Sequence, residues 1–414
     1  PALTGTIVGS RAESDKFLYD YRRTLADLMA SEHYGTVATV AHENGLKVYG
    51  EALEDHRPSL GDDMAMRSHA DIPMAAMWTH SRKDGPKLTY LADIKGAASV
   101  AHIYGQDLVA AESMTASMNP WNYAPHDLKR IIDLEFVTGV NRPVVHTSVH
   151  VPRDDKVPGL SLFIFGQYFN RHETWAEMAK PWIDYLSRTS FMLQQGRNHA
   201  DIAYFYGEDE PVTALFEFSV PGDLPRNYAY DFVNSAMLRD ALKVDGGEIV
   251  AGGGARYRAI YLGNHCQMMT LPTLKRLAAM VEAGATLIGQ KPTGSPSLSD
   301  DAAEFKAVAD RLWSNPRVLA TNDVEAAMAG IGVGPDFSYA KPQPDSQVLF
   351  VHRRLASGDI YFLNNRKNRP EQIDAHFRVT GRRPELWNAI TGTATPLPFT
   401  ETATETIIPL TLQP

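Results

Sequence analysis

Apolar residues recur along this chain in two alternating rhythms, and the alternation is regular enough to read an architecture from it. Between Asp20 and Ala30 they fall at helical spacing, and Val37 to Asn44 repeats that pattern until Asn44-Gly45 stops it. Leu46 to Leu53 then reads as a buried strand, and Ile72 to Trp78 as a second. A helix from Asp93 to Tyr104 closes on Gly105, Leu108 to Glu112 forms a third strand, a helix from Asp127 to Thr138 closes on Gly139, and Pro143 to Val149 forms a fourth strand. Strand and helix alternating through short Gly-punctuated returns require parallel strands with helices packed outside them. Four such strands amount to half of a (β/α)8 barrel.

A Gly-, Phe- and Asn-rich loop, Pro152 to Glu173, leads into a longer helix from Thr174 to Gln195, and a second α/β rhythm starts at Asp201 to Tyr206. It continues as a helix over Tyr230 to Leu242, a strand over Tyr257 to Leu262, a helix over Leu271 to Glu282 and a strand over Ala285 to Gly289, a Rossmann-like pattern. The run Gly252-Gly253-Gly254 invites a nucleotide-binding reading, but it precedes a strand, whereas a phosphate loop joins a strand to a helix. From about Thr321 short alternating segments take over: Gln347 to His352, Asp359 to Asn364, Gln372 to Val379, Glu385 to Asn388 and Thr406 to Leu412. They predict a small antiparallel β-sandwich. The expected organisation is therefore α/β throughout the first two parts: a barrel portion over residues 1–198, a Rossmann-like domain over 199–322 and a C-terminal β-sandwich over 323–414.

Composition narrows the partners. The 414 residues carry a net charge of −9, which offers no basic surface to a polyanion, so nucleic acid is not an expected partner. A single cysteine, Cys266, excludes an internal disulfide framework and a cysteine-based zinc site. That usage fits the cytoplasm and equally a disulfide-free periplasmic protein. No apolar run reaches the roughly 20 residues a membrane span needs, and no signal sequence opens the chain, so neither membrane nor export is expected. The start at Pro1 reads as a cut within a longer polypeptide.

The chemistry gathers at strand ends. Leu108-Val109-Ala110-Ala111-Glu112-Ser113-Met114-Thr115 is an apolar run that ends on a carboxylate, which is how an α/β barrel delivers a catalytic acid to its carboxyl-terminal rim. Tyr49 to Pro58 packs Glu51, Glu54, Asp55, His56 and Arg57 close to another strand end, and Gly50 lets backbone approach a ligand there. The alternative for those residues is a local ion cluster, Glu54 with Arg57. His146 and His150 would share one face of an extended strand, suited to substrate contact. Trp121, with Trp78 and the Tyr168 to Trp175 segment including Asn170, adds aromatic and amide groups suited to a hydroxyl-rich ligand, since sugars stack C–H faces and donate hydrogen bonds from their edges. Two carboxylates flanking such a ligand are what glycosidic cleavage needs.

Five strings then resemble one family in order and spacing. They are Tyr49 to Asp55, Ala110 to Ala116, Gly139-Val140-Asn141-Arg142, Gly166 to Arg171, and Leu193 to Arg197 with Ala200 to Glu208, and together they resemble glycoside hydrolase family 106, the α-L-rhamnosidases. The resemblance implies the C-terminal half of a catalytic barrel plus following domains, an inverting mechanism with two glutamates, a calcium ion holding rhamnose hydroxyls, and an upstream segment of the same polypeptide that completes the barrel. Glu112 is then expected as general base. Glu51 is either the acid or a calcium or sugar ligand, with Glu54, Asp55, Arg57, Trp121, His146, His150 and Asn170 contacting substrate. Glu51, Glu54 and Asp55 would partly supply calcium's oxygen ligands, and the metal ligands stay unassigned. The competing readings are a β-galactosidase-like retaining glycosidase and a truncated, non-catalytic sugar-binding protein.

Overall fold

A computed structural model describes residues 1–53, 60–209 and 215–414. Along the chain run helix α1 (Arg11–Leu28), strands β1 (Tyr49–Glu51) and β2 (Ile72–Trp78), helix α2 (Leu88–Tyr104), strand β3 (Ala110–Thr115), helix α3 (Pro125–Thr138), strand β4 (Arg142–Val145) and helix α4 (Lys180–Leu193). Then follow β5 (Ile202–Gly207), β6 (Tyr230–Val233), β7 (Ala259–His265), helix α5 (Leu271–Glu282), β8 (Leu287–Ile288), β9 (Val318–Leu319) and four longer C-terminal strands, β10 (Val348–Arg354), β11 (Asp359–Asn365), β12 (Glu371–Phe377) and β13 (Thr406–Leu412). The chain divides into two compact units, one of Pro1–Pro73, Lys95–Asp107 and His199–Gly334, the other of Met74–Ile94, Leu108–Asn198 and Pro335–Pro414. No helix among the described residues is long and apolar enough to cross a membrane.

The first unit is built on a parallel sheet of order β9-β8-β7-β5-β6. Its strands are near-continuous apolar runs because both faces are covered, and Tyr204, Phe205, Phe232 and Tyr261 are fully buried. The strand order reverses between β5 and β7, where an open α/β sheet usually receives an anionic ligand against a helix N-terminus. Here the chain's own carboxylates occupy that place. Glu208 accepts from Thr270 N–H at 2.9 Å and from the hydroxyls of Thr270, Thr273 and Ser235, while Asp300 accepts from Leu271 N–H at 2.7 Å. Gly252 to Gly254 lie in the turn after a strand, Glu248–Ala251. Cys266 is buried, and burial pushes its thiol far above the usual range, which leaves it unreactive.

Two expectations are corrected in this unit. Tyr230 to Leu242 is no single helix: Tyr230–Val233 pairs with β5 as a strand, a short helical turn covers Met237–Ala241, and a new strand starts at Leu242. A short run of aromatic and apolar residues buried on both sides carries no periodicity that separates helix from strand. The first helix begins at Arg11, well before Asp20, because Ser10 and Glu13 form a capping box in which Glu13 N–H donates to Ser10 Oγ at 3.1 Å and Ser10 N–H to Glu13 Oε2 at 2.8 Å.

In the second unit β3 lies between β2 and β4, all parallel, with Glu112 in register between Ala76 and Val144. Helices α3 and α4 cover one face through Leu128, Ile132, Phe136, Trp182, Tyr185, Leu186 and Leu193, with Met114 from β3. The predicted helix from Thr174 starts only at Lys180, where Pro181 suits the first turn. Around the antiparallel strands β10 to β13 a separate core forms from Phe337, Val348, Ile373, Ala375, Phe377 and Ile408. Buried Asp133 on α3 links the two cores, accepting from Lys129 Nζ at 2.6 Å, from the Tyr185 hydroxyl and from Asn364 Nδ2 at 3.3 Å. Arg353 adds a second tie, donating to the carbonyls of Gln195 and Gly196, each at 2.9 Å.

Phe136 is fully buried at the centre of the helix layer. Phe136→Ala is expected to lower unfolding stability by about 3–5 kcal/mol, read from a shift of the denaturation midpoint at unchanged slope.

Candidate functional site

The face to which each β3 side chain points follows from its partners. Ser113 Oγ lies 2.5 Å from Glu135 Oε2 on α3, so Ser113 faces the helix layer. Neighbouring residues of a strand point to opposite faces, so Glu112 faces away from the helices. Its side chain is a quarter exposed.

Thr115 should point the other way, being three residues on. The pairing of β3 with β2 runs Met77 with Ser113 and then Trp78 with Thr115, which skips Met114. Met114 is a bulge with φ of 70°, and a left-handed non-glycine residue costs on the order of 1–3 kcal/mol. The bulge returns Thr115 to the face of Glu112. The Thr115 hydroxyl meets Glu112 Oε1 in a short hydrogen bond and lies 3.1 Å from His146 Nδ1, and the His146 and Glu112 side chains are 3.8 Å apart.

His146 follows directly on β4. Its N–H donates to Ser113 O at 2.9 Å, and its carbonyl accepts from Gln167 N–H at 3.2 Å. The segment around residues 162–169 therefore threads between the ends of β3 and β4, since Gly166 N–H donates to Ala116 O at 2.8 Å and Met118 N–H to Ile164 O at 2.7 Å. This insertion ends β4 at Val145, so the expected strand to Val149 and the same-face pairing of His146 with His150 do not hold. His146 joins Glu112; His150 is exposed on the following loop.

The other expected residues are spread differently. Trp121 stacks on Tyr168 with ring centroids 4.5 Å apart and stays 41% exposed, so its outer face is open to a ligand. Trp78 packs against Tyr90 and Phe165. Asn170 is half-buried, and its Oδ1 accepts from His172 N–H at 2.8 Å, which makes it a turn-former on this face of the loop. Glu51 ends β1 in the first unit and is half-buried. Glu54, Asp55 and Arg57 lie outside the described residues. Sequence reading passed over Thr115, Ser113 and Glu135; the only signal for them was the small polar string after Glu112.

Glu135 is fully buried, and desolvation pushes its carboxyl well above the usual range against the single hydrogen bond with Ser113. Burial thus favours its protonated, uncharged form.

Comparison with known proteins decides the family. The family model for α-L-rhamnosidase, glycoside hydrolase 106, matches residues 1–401. The chain belongs to that family. A solved rhamnosidase from Novosphingobium sp. PP1Y is 58% identical over all of this chain, with a TM-score of 0.96, and the match covers 40% of that longer chain. A curated protein of Formosa agariphila named "Putative beta-glucuronidase" is 36% identical over 400 residues, 95% of this chain and 32% of its own length. The family member described here thus spans about a third to two fifths of the relatives it matches.

Glu135 yields a stability test. Its folded-state carboxyl titrates above the unfolded value, so its contribution is complete below about pH 4.5, where the unfolded carboxyl also holds its proton, and declines as pH rises from there towards the raised folded value. Glu135→Gln, which cannot ionise, is expected to flatten the fall of melting temperature above that pH; an unchanged slope would show that Glu135 is ionised in the folded protein.

Proposed function

We propose that the polypeptide carrying this chain releases terminal α-L-rhamnose from glycosides with inversion, and that Glu112 is the general base. The observation that carries the reading is the placement of Glu112: mid-sheet between β2 and β4, facing away from the helix layer, in a member of the α-L-rhamnosidase family. In that role Glu112 takes a proton from water as the water oxygen bonds to the anomeric carbon, while an acid protonates the departing glycosidic oxygen. Glu51 or a carboxylate in an upstream segment supplies that proton. Trp121 and His146 contact the sugar in this reading, together with His150, Asn170 and the Glu54, Asp55 and Arg57 cluster. The strands β2 to β4 then belong to the C-terminal half of a (β/α)8 barrel that an upstream segment completes, followed by the Rossmann-like part and the β-sandwich.

Calcium belongs to the same proposal through the family resemblance. Calcium takes six to eight oxygen ligands, and of the three candidate acids only half-buried Glu51 lies among the described residues, beside Glu54 and Asp55 in sequence. The described residues thus do not themselves form a calcium cage. The ion would hold sugar hydroxyls, and no proton transfer above depends on it.

Full-length protein is expected to release L-rhamnose from an aryl α-L-rhamnoside, and Glu112→Gln to reduce kcat by about 10²–10⁴-fold, with aryl β-galactosides and β-glucuronides turned over far more slowly. No release of L-rhamnose, or preference for either β-glycoside, would overturn the rhamnoside reading. Chelation with EDTA is expected to remove most activity and added calcium to restore it; undiminished turnover after exhaustive chelation would remove calcium from the account.

A further inference from the structure

The bulge at Met114 has one visible product, the hydroxyl of Thr115 set between Glu112 and His146. A carboxylate only accepts hydrogen bonds, and a hydroxyl has one proton to give. When Glu112 is ionised, the Thr115 proton goes to Glu112 Oε1. The lone pairs of Oγ1 then face His146 Nδ1 at 3.1 Å, so the imidazole must be the donor. His146 is thereby held with a proton on Nδ1, either as that neutral tautomer or as imidazolium. Among the described residues no protein hydrogen bond reaches Glu112 Oε2.

Resting on the reading of Glu112 as general base, we propose that Thr115 and His146 are positioning residues that orient Glu112 through one hydroxyl, tying Oε1 and reserving Oε2 for the water proton. The chain of donors runs in one direction, from His146 Nδ1 to Thr115 Oγ1 to Glu112 Oε1. Water loses its proton to Oε2, its oxygen bonds to the anomeric carbon, and neither Thr115 nor His146 changes protonation in the step. A protonated Glu112 donating from Oε1 would reverse the chain and require a bare Nδ1, so the charge of Glu112 and the titration of His146 are coupled.

Among the described residues, the elements packed against this trio bring the following groups. The helix layer brings Glu135, uncharged by burial and reached only through Ser113. The end of β2 brings Thr79, whose N–H donates to Thr115 O at 2.8 Å, and beyond it His80, which burial lowers to about 4, with Arg130 beside it. The segment 162–169 brings no ionisable side chain except Tyr168. The left-handed bulge thus does two things at once, sending Met114 into the helix-side core and turning the Thr115 hydroxyl to Glu112.

The test follows exchange of the His146 C2 hydrogen against pH by mass spectrometry in full-length wild-type protein and in Thr115→Ser, Thr115→Val and Glu112→Gln. Wild type and Thr115→Ser are expected to share one midpoint, which Thr115→Val and Glu112→Gln both displace. In parallel, Thr115→Val is expected to lose about tenfold or more in kcat on an aryl α-L-rhamnoside with KM little changed, and to move the acidic limb of kcat/KM to higher pH; Thr115→Ser recovers most of kcat. The same midpoint in all four proteins overturns the coupling, as does wild-type kcat and acidic limb in a Thr115→Val protein of unchanged melting temperature. Coupled midpoints in a protein that hydrolyses no rhamnoside would uphold the coupling and overturn the assignment of Glu112 as base.

Discussion

The site depends on the helix layer that covers one face of β3. Ser113 sits against that layer, and burial there favours the uncharged form of Glu135, hydrogen-bonded to Ser113. Glu112, the partly exposed residue of the strand, takes the opposite face. The single bulge at Met114 then decides which hydroxyl accompanies it.

The same logic applies to the five-stranded parallel sheet of the first unit. Its strand order produces a crevice at the carboxyl ends of β5 and β7, the place where such sheets bind anions. Glu208 and Asp300 saturate the amides and hydroxyls at the start of α5. A bound phosphate would have to displace carboxylates that already hold those donors.

Much of this was legible in the residues. Ile72 to Trp78 and Leu271 to Glu282 form the elements read for them, and Glu112 lies on the strand its apolar run foretold, although that strand runs Ala110–Thr115 and does not end on the carboxylate. Local patterns failed where a tertiary partner made the decision. β4 stops at Val145 because the segment around Gln167 takes the carbonyl of His146, a contact between residues 21 apart that no period records. Tyr230 to Val233 became a strand because β5 offered an edge. Thr115 was invisible as a partner of Glu112, since regular alternation puts it on the wrong face and only the bulge corrects it. The Ser10 to Glu13 capping box, by contrast, was present in the sequence and simply outweighed by the apolar spacing further on.

The central claim is that Glu112 activates the attacking water. Azide rescue of Glu112→Ala tests it most directly, because a small anion can enter the space the carboxylate leaves and attack without a base. The account predicts that azide restores turnover of an activated aryl α-L-rhamnoside and yields β-L-rhamnosyl azide. Undiminished hydrolysis by Glu112→Ala, or a folded and inactive variant that azide leaves inactive, would contradict it.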